Sequence, residues 1–226
     1  VTDDGSTRNP MWSSDGRHLF YVSTKGGRAG FWTATADGST QPTEIGRSTR
    51  NNAWNVDITP DRRTMVFNAI SSGSFNLETW DIDSPHLERE IAMSPTANET
   101  NARFSPDGRF IAYNSDESGR FEVYVRSYPD NSGKIQVSAD GGLRPVWSPA
   151  GDRIYYWKNK TLMRADVSRD PALRVVSRQP LFSGNYSQDF DLSPGGDRFL
   201  MLESNQNRGQ IIVVPHWAHE LKARAR

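Results

Sequence analysis

Short apolar runs separated by turn residues make up most of the hydrophobic pattern of this chain. The stretch "RFSPDGRFIAYNSDESGRFEVYV", which starts at Arg103, contains three such runs. In the third run Phe121, Val123 and Val125 alternate with polar residues, as in a half-buried strand. The "SPDG" segment between the first two runs has the residue preferences of a type I turn, and its glycine can adopt a positive φ. The stretch therefore predicts strand, turn, strand, loop and strand.

The same turn pattern occurs five times along the chain. The copies are "SSDGR", "TPDRR", "SPDGR", "SPAGD" and "SPGGD", and their first residues are Ser13, Thr59, Ser105, Ser148 and Ser193. Successive copies are 46, 46, 43 and 45 residues apart. A period near 45 residues with strand-like content is typical of the blades of a β-propeller.

The strand after each turn is apolar on both faces. Six and eight residues after the turn serine or threonine stand Leu19 and Tyr21, Met65 and Phe67, Ile111 and Tyr113, Ile154 and Tyr156, and Phe199 and Met201. The intervening position, on the opposite face, holds Phe20, Val66, Ala112, Tyr155 and Leu200. A sheet with one solvated face would alternate instead, so we expect a neighbouring sheet on each side. A parallel sheet would need helical crossovers, and the intervening segments contain no convincing amphipathic helix.

These patterns predict an all-β fold, a β-propeller with five visible four-stranded blades in a single domain, 1–226. The repeat units are approximately 3–46, 47–93, 94–138, 139–183 and 184–214. A short helical tail is expected at 215–226, where Trp217 and Leu221 are spaced to share one helix face. The fifth unit has no fourth strand of its own. We expect Val1 and Thr2 to supply it and to close a five-bladed ring; the alternative is an open arc that forms part of a larger ring.

Composition excludes several classes of function. Lysine plus arginine and aspartate plus glutamate number 27 each, so no strongly basic surface for nucleic acid is expected. The absence of cysteine excludes disulfides, thiolate zinc sites and a cysteine nucleophile. The sequence has neither a signal-peptide pattern nor an apolar run of the length that spans a bilayer. We therefore expect membrane association only through a segment upstream of the sequence given.

Two stretches carry a resemblance to a known repeat family. "RPVWSPAGDRIYYW" and "ARFSPDGRFIAYNSDESGRFEVYVRSYP" resemble the WD40-like repeat of the TolB type, and all five copies fit it. The second copy fits least well, because Arg62 replaces the turn glycine. "GRFEVYVRSYPD", "KIQVSADGGLRPVWSP" and "IIVVPHWAHELKAR" are also similar to C-terminal propellers of bacterial receptor-type serine/threonine kinases. That resemblance implies a sensor or interaction domain on the periplasmic or extracellular side of a membrane.

Motifs for catalysis are lacking in the sequence. No kinase motif and no G-x-S-x-G nucleophile elbow occurs, and none of the four histidines (His18, His86, His216 and His219) stands in a recognisable triad arrangement. Asp57, Asp189 and Asp191 are possible calcium ligands, but no loop has metal-site spacing, and solvated carboxylates are the preferred interpretation. His216 and His219 have the spacing of two zinc ligands, but no third ligand is evident. We predict a protein that is not an enzyme and that needs no metal and no cofactor.

The repeat also predicts a ring of polar residues. Four residues before each turn serine or threonine stand Asn9, Asn55, Asn101, Arg144 and Asp189, and two residues later three more charges occur, at Asp57, Arg103 and Asp191. In a propeller the first strand of each blade lines the central channel, so these eight residues should converge at one channel mouth. Two interpretations remain open: the ring binds a peptide, a chain terminus or a small polar ligand, or it hydrogen-bonds channel water.

The predicted function is non-catalytic recognition. A protein, a peptide or a small polar ligand would bind at the channel or at the rim, within a larger bacterial signalling protein. The first alternative is a substrate-gating propeller of a larger hydrolase. The second is a scaffold whose partner binds only the rim loops.

Overall fold

A computed structural model describes the following parts of the chain: residues 6–13, 15–25, 27–48, 53–71, 73–84, 88–92, 96–170, 172–203 and 210–214. All regular elements within these ranges are strands. The predicted helical tail at 215–226 and the strand expected at Val1 and Thr2 lie outside the described residues. No helix that could cross a lipid bilayer is found in the described part of the chain.

The strands form five antiparallel sheets, each built from consecutive strands in sequence order. Blade 1 contains β1 (Thr7–Trp12), β2 (His18–Ser23), β3 (Gly30–Thr35) and β4 (Thr43–Arg47). Blade 2 contains β5 (Ala53–Ile58), β6 (Thr64–Ser71), β7 (Ser74–Asp81) and β8 (Glu88–Ala92). Blade 3 contains β9 (Glu99–Phe104), β10 (Phe110–Ser115), β11 (Glu122–Ser127) and β12 (Lys134–Gln136). Blade 4 contains β13 (Leu143–Trp147), β14 (Arg153–Lys158), β15 (Thr161–Ser168) and β16 (Arg174–Ser183). Blade 5 contains β17 (Tyr186–Leu192), β18 (Phe199–Glu203) and β19 (Gln210–Val214).

Each of the five repeated turns is organised by the hydroxyl group of its first residue. The Ser105 hydroxyl donates to the Asp107 carboxylate at 2.6 Å and accepts the backbone N–H of Phe110 at 3.0 Å. Both bonds recur in the other four turns. In the last two turns the aspartate stands four residues after the serine instead of two, and Asp152 and Asp197 make the same contact. The repeat therefore preserves the interaction and not the position of the carboxylate.

The second turn forms despite its missing glycine. Arg62 adopts a φ of 62°, close to the 67–70° of the glycines in the other four turns. Its N–H donates to the Thr59 carbonyl at 2.8 Å, as the Gly108 N–H does to Ser105. A left-handed conformation costs a non-glycine residue roughly 1–2 kcal/mol. This turn therefore forms at a greater energetic cost than its four counterparts.

Buried apolar clusters join each blade to the next. The second strand contributes to two clusters at once: Tyr155 faces blade 5, whereas Ile154 and Tyr156 face blade 3, and all three are fully buried. Comparable clusters lie between blades 1 and 2 and between blades 2 and 3. The predicted burial of the second strand on both faces is therefore confirmed for the blades that have a neighbour on each side.

The side of blade 5 that faces away from blade 4 is different. Leu200 and Leu202 of β18 point to that side and are 45% and 42% exposed, whereas Phe199 and Met201 on the other face are buried. Among the described residues, no buried apolar cluster joins blade 5 to blade 1. Closure of the ring stays a prediction, and we call this boundary the seam.

Candidate functional site

One cavity lies where the first strands of all five blades begin. Its volume is about 130 Å³, and every blade contributes to its lining. All five residues of the predicted ring line it: Asn9, Asn55, Asn101, Arg144 and Asp189. We call it the amide cavity. The repeat therefore predicted correctly that these five positions converge.

The backbone at the ring positions has an unusual conformation. Asn9, Asn55, Asn101 and Arg144 have φ values of 50°, 49°, 56° and 56°, in the left-handed region. A register shift in the pairing of the first strand with the second coincides with each of them, so each lies at a β-bulge. Asparagine tolerates positive φ better than most residues do. The recurring asparagine is therefore partly a backbone requirement, which the sequence analysis did not recognise.

The side chains of the ring are linked to one another and to the strands behind them. Asn9 Nδ2 donates to Asn55 Oδ1 at 3.3 Å, and this bond joins blades 1 and 2. Asn101 Nδ2 donates to Asn114 Oδ1 at 3.0 Å within blade 3. Arg144 lies 3.0 Å from the carboxylate of Asp189, and this ion pair joins blades 4 and 5. Because both partners are partly exposed, the pair contributes at most about 1 kcal/mol.

Two buried asparagines on second strands hold the bulges in place. Asn114 donates to the Gly142 carbonyl at 3.0 Å and accepts the backbone N–H of Arg144 at 3.0 Å. Asn68 makes the equivalent pair of bonds to blade 3, donating to the Glu99 carbonyl at 2.6 Å and accepting the N–H of Asn101 at 3.2 Å. Neither residue was predicted from the sequence. Their signal was an asparagine at the same repeat position, directly after the apolar part of each second strand.

The remaining three predicted residues are not all in the amide cavity. Asp57 and Asp191 line a second cavity of about 220 Å³, close to the serine-centred turns. Arg103 borders both cavities. Trp12 and Trp147 also line the second cavity, which we call the turn-side cavity. Six of the eight predicted residues therefore line the amide cavity, whereas Asp57 and Asp191 line the turn-side cavity instead. Whether either group binds a ligand stays a prediction.

The Asp57 carboxylate is held against the wall of the channel. One oxygen accepts the backbone N–H of Phe104 at 2.7 Å, and the other lies 3.6 Å from the Arg103 guanidinium. Burial raises the pKa of Asp57, and the nearby charge of Asp191 raises it further. Arg103 and the Phe104 N–H lower the pKa but do not cancel the effect of burial. Ionisation of Asp57 is thus less favourable in the folded protein than in water.

The described residues contain no group of three or more potential metal ligands. His216 and His219, considered for zinc, lie outside the described residues, as does His86. His18 lies in β2 with its ring nitrogen 3.3 Å from Arg62. Arg62 is a cation and not a nucleophile. His18 therefore has no group in this contact that it could activate as a general base.

A family model identifies the protein family to which this chain belongs. The model of the TolB beta propeller domain matches residues 10–219, which is nearly the whole chain. The chain belongs to this TolB propeller family. Its fold and its repeat are those that the "WSPDG"-type turns predicted.

Solved structures agree with this TolB propeller fold. TolB from Acinetobacter baumannii superposes with a TM-score of 0.73 at 18% identity, over 93% of this chain and 52% of that one. An oligogalacturonate lyase in complex with manganese gives 0.69 at 12% identity, over 96% and 64%. A puromycin-hydrolysing peptidase of Mycobacterium tuberculosis gives 0.67 at 10% identity, over 93% and 36%. Identities this low establish the fold alone.

The chain spans about half the length of the Acinetobacter TolB structure. No curated protein sequence matches it.

Proposed function

We propose that this TolB propeller is a non-catalytic recognition domain that binds a polar segment of a protein or peptide at the amide cavity. The observation that carries the proposal is the convergence of five equivalent polar positions, one from each blade, on one cavity. Amide groups recognise peptide bonds and polar side chains with paired donors and acceptors. Arg144 and Asp189 add one charge of each sign, which fixes the direction of a bound segment.

The size of the cavity favours part of a macromolecule over a complete small molecule. Sites for small ligands are typically about 300–1,000 Å³. The amide cavity, at about 130 Å³, has room for one side chain or one chain end. The rest of the ligand would then lie on the surrounding loops, as expected for a protein partner.

The absence of catalytic machinery is part of the proposal. No group of nucleophile, base and orienting residue was found in the sequence, and the ring carboxylate Asp189 is paired with Arg144. An extracytoplasmic, periplasmic or extracellular location and a place in a larger signalling protein belong to the same proposal. They are supported by the resemblance to TolB-type propellers.

Selection of peptides tests this function. Random peptides displayed on phage would be selected on the immobilised protein, and the enriched peptides would be synthesised and measured by calorimetry. Asn101→Gly should weaken binding roughly tenfold, because it removes an amide while glycine keeps the positive φ. Asn159→Gly is the matched control, since Asn159 has a φ of 54° in an exposed turn away from the cavity. Failure to enrich any peptide, or equal affinity for both variants, would refute the proposal.

A substrate-gating role is a second candidate. The fold similarity to the puromycin-hydrolysing peptidase, in which the matched part is 36% of the chain, is the observation that favours it. Recovery of the full-length gene product distinguishes the two. A hydrolase domain in the same polypeptide would support the gate, and a kinase domain followed by a membrane span would support the recognition domain.

A further inference from the structure

We propose that the turn-side cavity is a second binding site, which takes a single lysine or arginine side chain of a partner protein. It adjoins the amide cavity, with which it shares Arg103, but its test does not depend on the function proposed above. Its lining carries an excess negative charge and includes an exposed tryptophan.

The charge of the lining is unbalanced. Asp57, Asp191 and Arg103 border the cavity, which leaves one negative charge in excess when both carboxylates are ionised. Arg103 lies nearest to Asp57, at 3.6 Å. Within the described part of the chain, the Asp191 carboxylate has no ion-pair partner and accepts the N–H of Leu192 at 2.9 Å. A carboxylate is therefore available to an incoming cation.

The aromatic wall is exposed where its equivalents are buried. Trp12 is 60% exposed and lines the cavity. The residues at the same repeat position in blades 2, 3 and 4 are at most 8% exposed: Ile58, Phe104 and Trp147. An exposed tryptophan beside carboxylates suits a cationic side chain, because the ring attracts the charge and also covers the aliphatic stem.

The electrostatics of the channel wall point in the same direction. A cation in the cavity would stabilise the ionised form of Asp57, which burial now disfavours. An anion would meet two carboxylates and only one guanidinium, and an apolar group would desolvate Asp191 without supplying an opposite charge. The cavity, at about 220 Å³, accommodates a lysine or arginine side chain but not a folded segment.

The site is tested directly by the indole N–H signal of Trp12 in a nuclear magnetic resonance titration. The signal is identified by its loss in Trp12→Phe. The probes are blocked lysine and blocked arginine (N-acetyl, N′-methylamide), with blocked norleucine and blocked glutamate as controls. We expect saturable shifts with lysine and arginine and none with norleucine or glutamate.

Two variants separate this site from the rest of the channel. Asp191→Asn keeps the hydrogen bond to Leu192 but removes the charge, and it should weaken the response to lysine roughly tenfold or more. Asp189→Asn is the matched control: it removes an exposed carboxylate two residues away that lines the other cavity, and it should leave the response unchanged. Both are surface changes, so equal denaturation midpoints would show that the fold is intact.

Four outcomes would overturn the proposal. Equal shifts with norleucine would indicate a merely apolar contact. A lysine response that survives Asp191→Asn would show that the carboxylate plays no part. A response to calcium but not to lysine would indicate a metal site. Tighter binding of putrescine than of the blocked amino acids would identify a free amine, and not a protein side chain, as the ligand. Loss of peptide binding at the amide cavity alone would not affect this site.

Discussion

Trp12 and Trp147 occupy the same position of the repeat but have different environments. Trp147 is 6% exposed, lies in the cluster between blades 3 and 4, and donates its indole N–H to the Arg103 carbonyl at 3.2 Å. Trp12 is 60% exposed and borders the turn-side cavity at the seam. The residue before the turn packs against the preceding blade. The exposed fraction of this residue therefore indicates whether the preceding blade covers it.

The first strands reflect the same difference. β1 packs beside β5, β5 beside β9, β9 beside β13 and β13 beside β17. In the described residues, β17 and β1 make no contact of comparable extent. The interface between blades 3 and 4 thus has a packed apolar core, whereas the seam has no comparable cluster among the described residues. In our proposal the exposed Trp12 at this boundary supplies one wall of a binding site in the central channel.

The largest expected effect tests the two tryptophans directly. Trp147→Ala should lower the free energy of unfolding by about 3–5 kcal/mol, because it leaves a cavity in a packed interface. Trp12→Ala should change it by less than about 1 kcal/mol, because the side chain is largely in solvent already. Denaturant titrations followed by circular dichroism measure both. Equal losses would mean that the seam is as tightly packed as the interface between blades 3 and 4.

The turn hydroxyls offer a smaller contrast between the same regions. Ser105 is 1% exposed. Ser105→Ala would leave the N–H of Phe110 without this acceptor, which should cost about 1–3 kcal/mol. Ser193 makes the same bonds in a less buried turn of blade 5, so Ser193→Ala should cost less than about 1 kcal/mol. Denaturation midpoints of the two variants measure the two losses of stability. A larger loss for Ser193→Ala than for Ser105→Ala would contradict the prediction.

Acid should weaken the interface between blades 3 and 4, where Arg169 of blade 4 pairs with the Asp107 carboxylate of blade 3. Burial alone would raise the pKa of Asp107, but the Ser105 hydroxyl, the Arg109 N–H and the Arg169 charge hold it below its ordinary value. The stabilisation is complete above the unfolded pKa of about 3.9 and is lost as the pH falls through the lower folded pKa. Because the group is partly exposed, we expect less than about 1 kcal/mol. Asp107→Asn should flatten the acid limb of a melting-temperature profile, and an unchanged limb would argue against this linkage.

The pH dependence of stability that arises from Asp57 should have the opposite sign. Its folded pKa is raised, so its ionised form destabilises the fold, and stability declines as the pH rises through that pKa. Asp57→Asn keeps an oxygen acceptor for the Phe104 N–H, and it should raise the melting temperature slightly at pH 7 but not in acid. A lower melting temperature at pH 7 would show that the pair with Arg103 outweighs burial. A gain in stability combined with weaker lysine binding would indicate that the carboxylate serves binding and not folding.

Much of the fold followed from local patterns. The turn chemistry at Ser105, the spacing of the five copies and the two-sided apolar strand at 154–156 depend on neighbouring residues, and each was predicted correctly. The convergence of Asn9, Asn101 and Arg144 also followed, since equivalent positions of a propeller meet at its axis. The β-bulge was not predicted. An asparagine required for its positive φ and an asparagine required for ligand binding look the same in the sequence.

The amino-acid sequence by itself determined the blade, its turns and the ring of polar positions, because these arise from contacts within one repeat. Only the tertiary structure decided which copies are covered by a neighbour. Trp12 and Trp147 look alike in sequence, and their exposure differs because burial depends on the preceding blade and not on the strand itself. The separation of Asp57 and Asp191 from Asn55 and Asp189 has a similar cause. The position of a residue along the channel depends on how the blades assemble. Asp57 and Asp191 therefore line a cavity whose chemistry differs from that of the amide cavity.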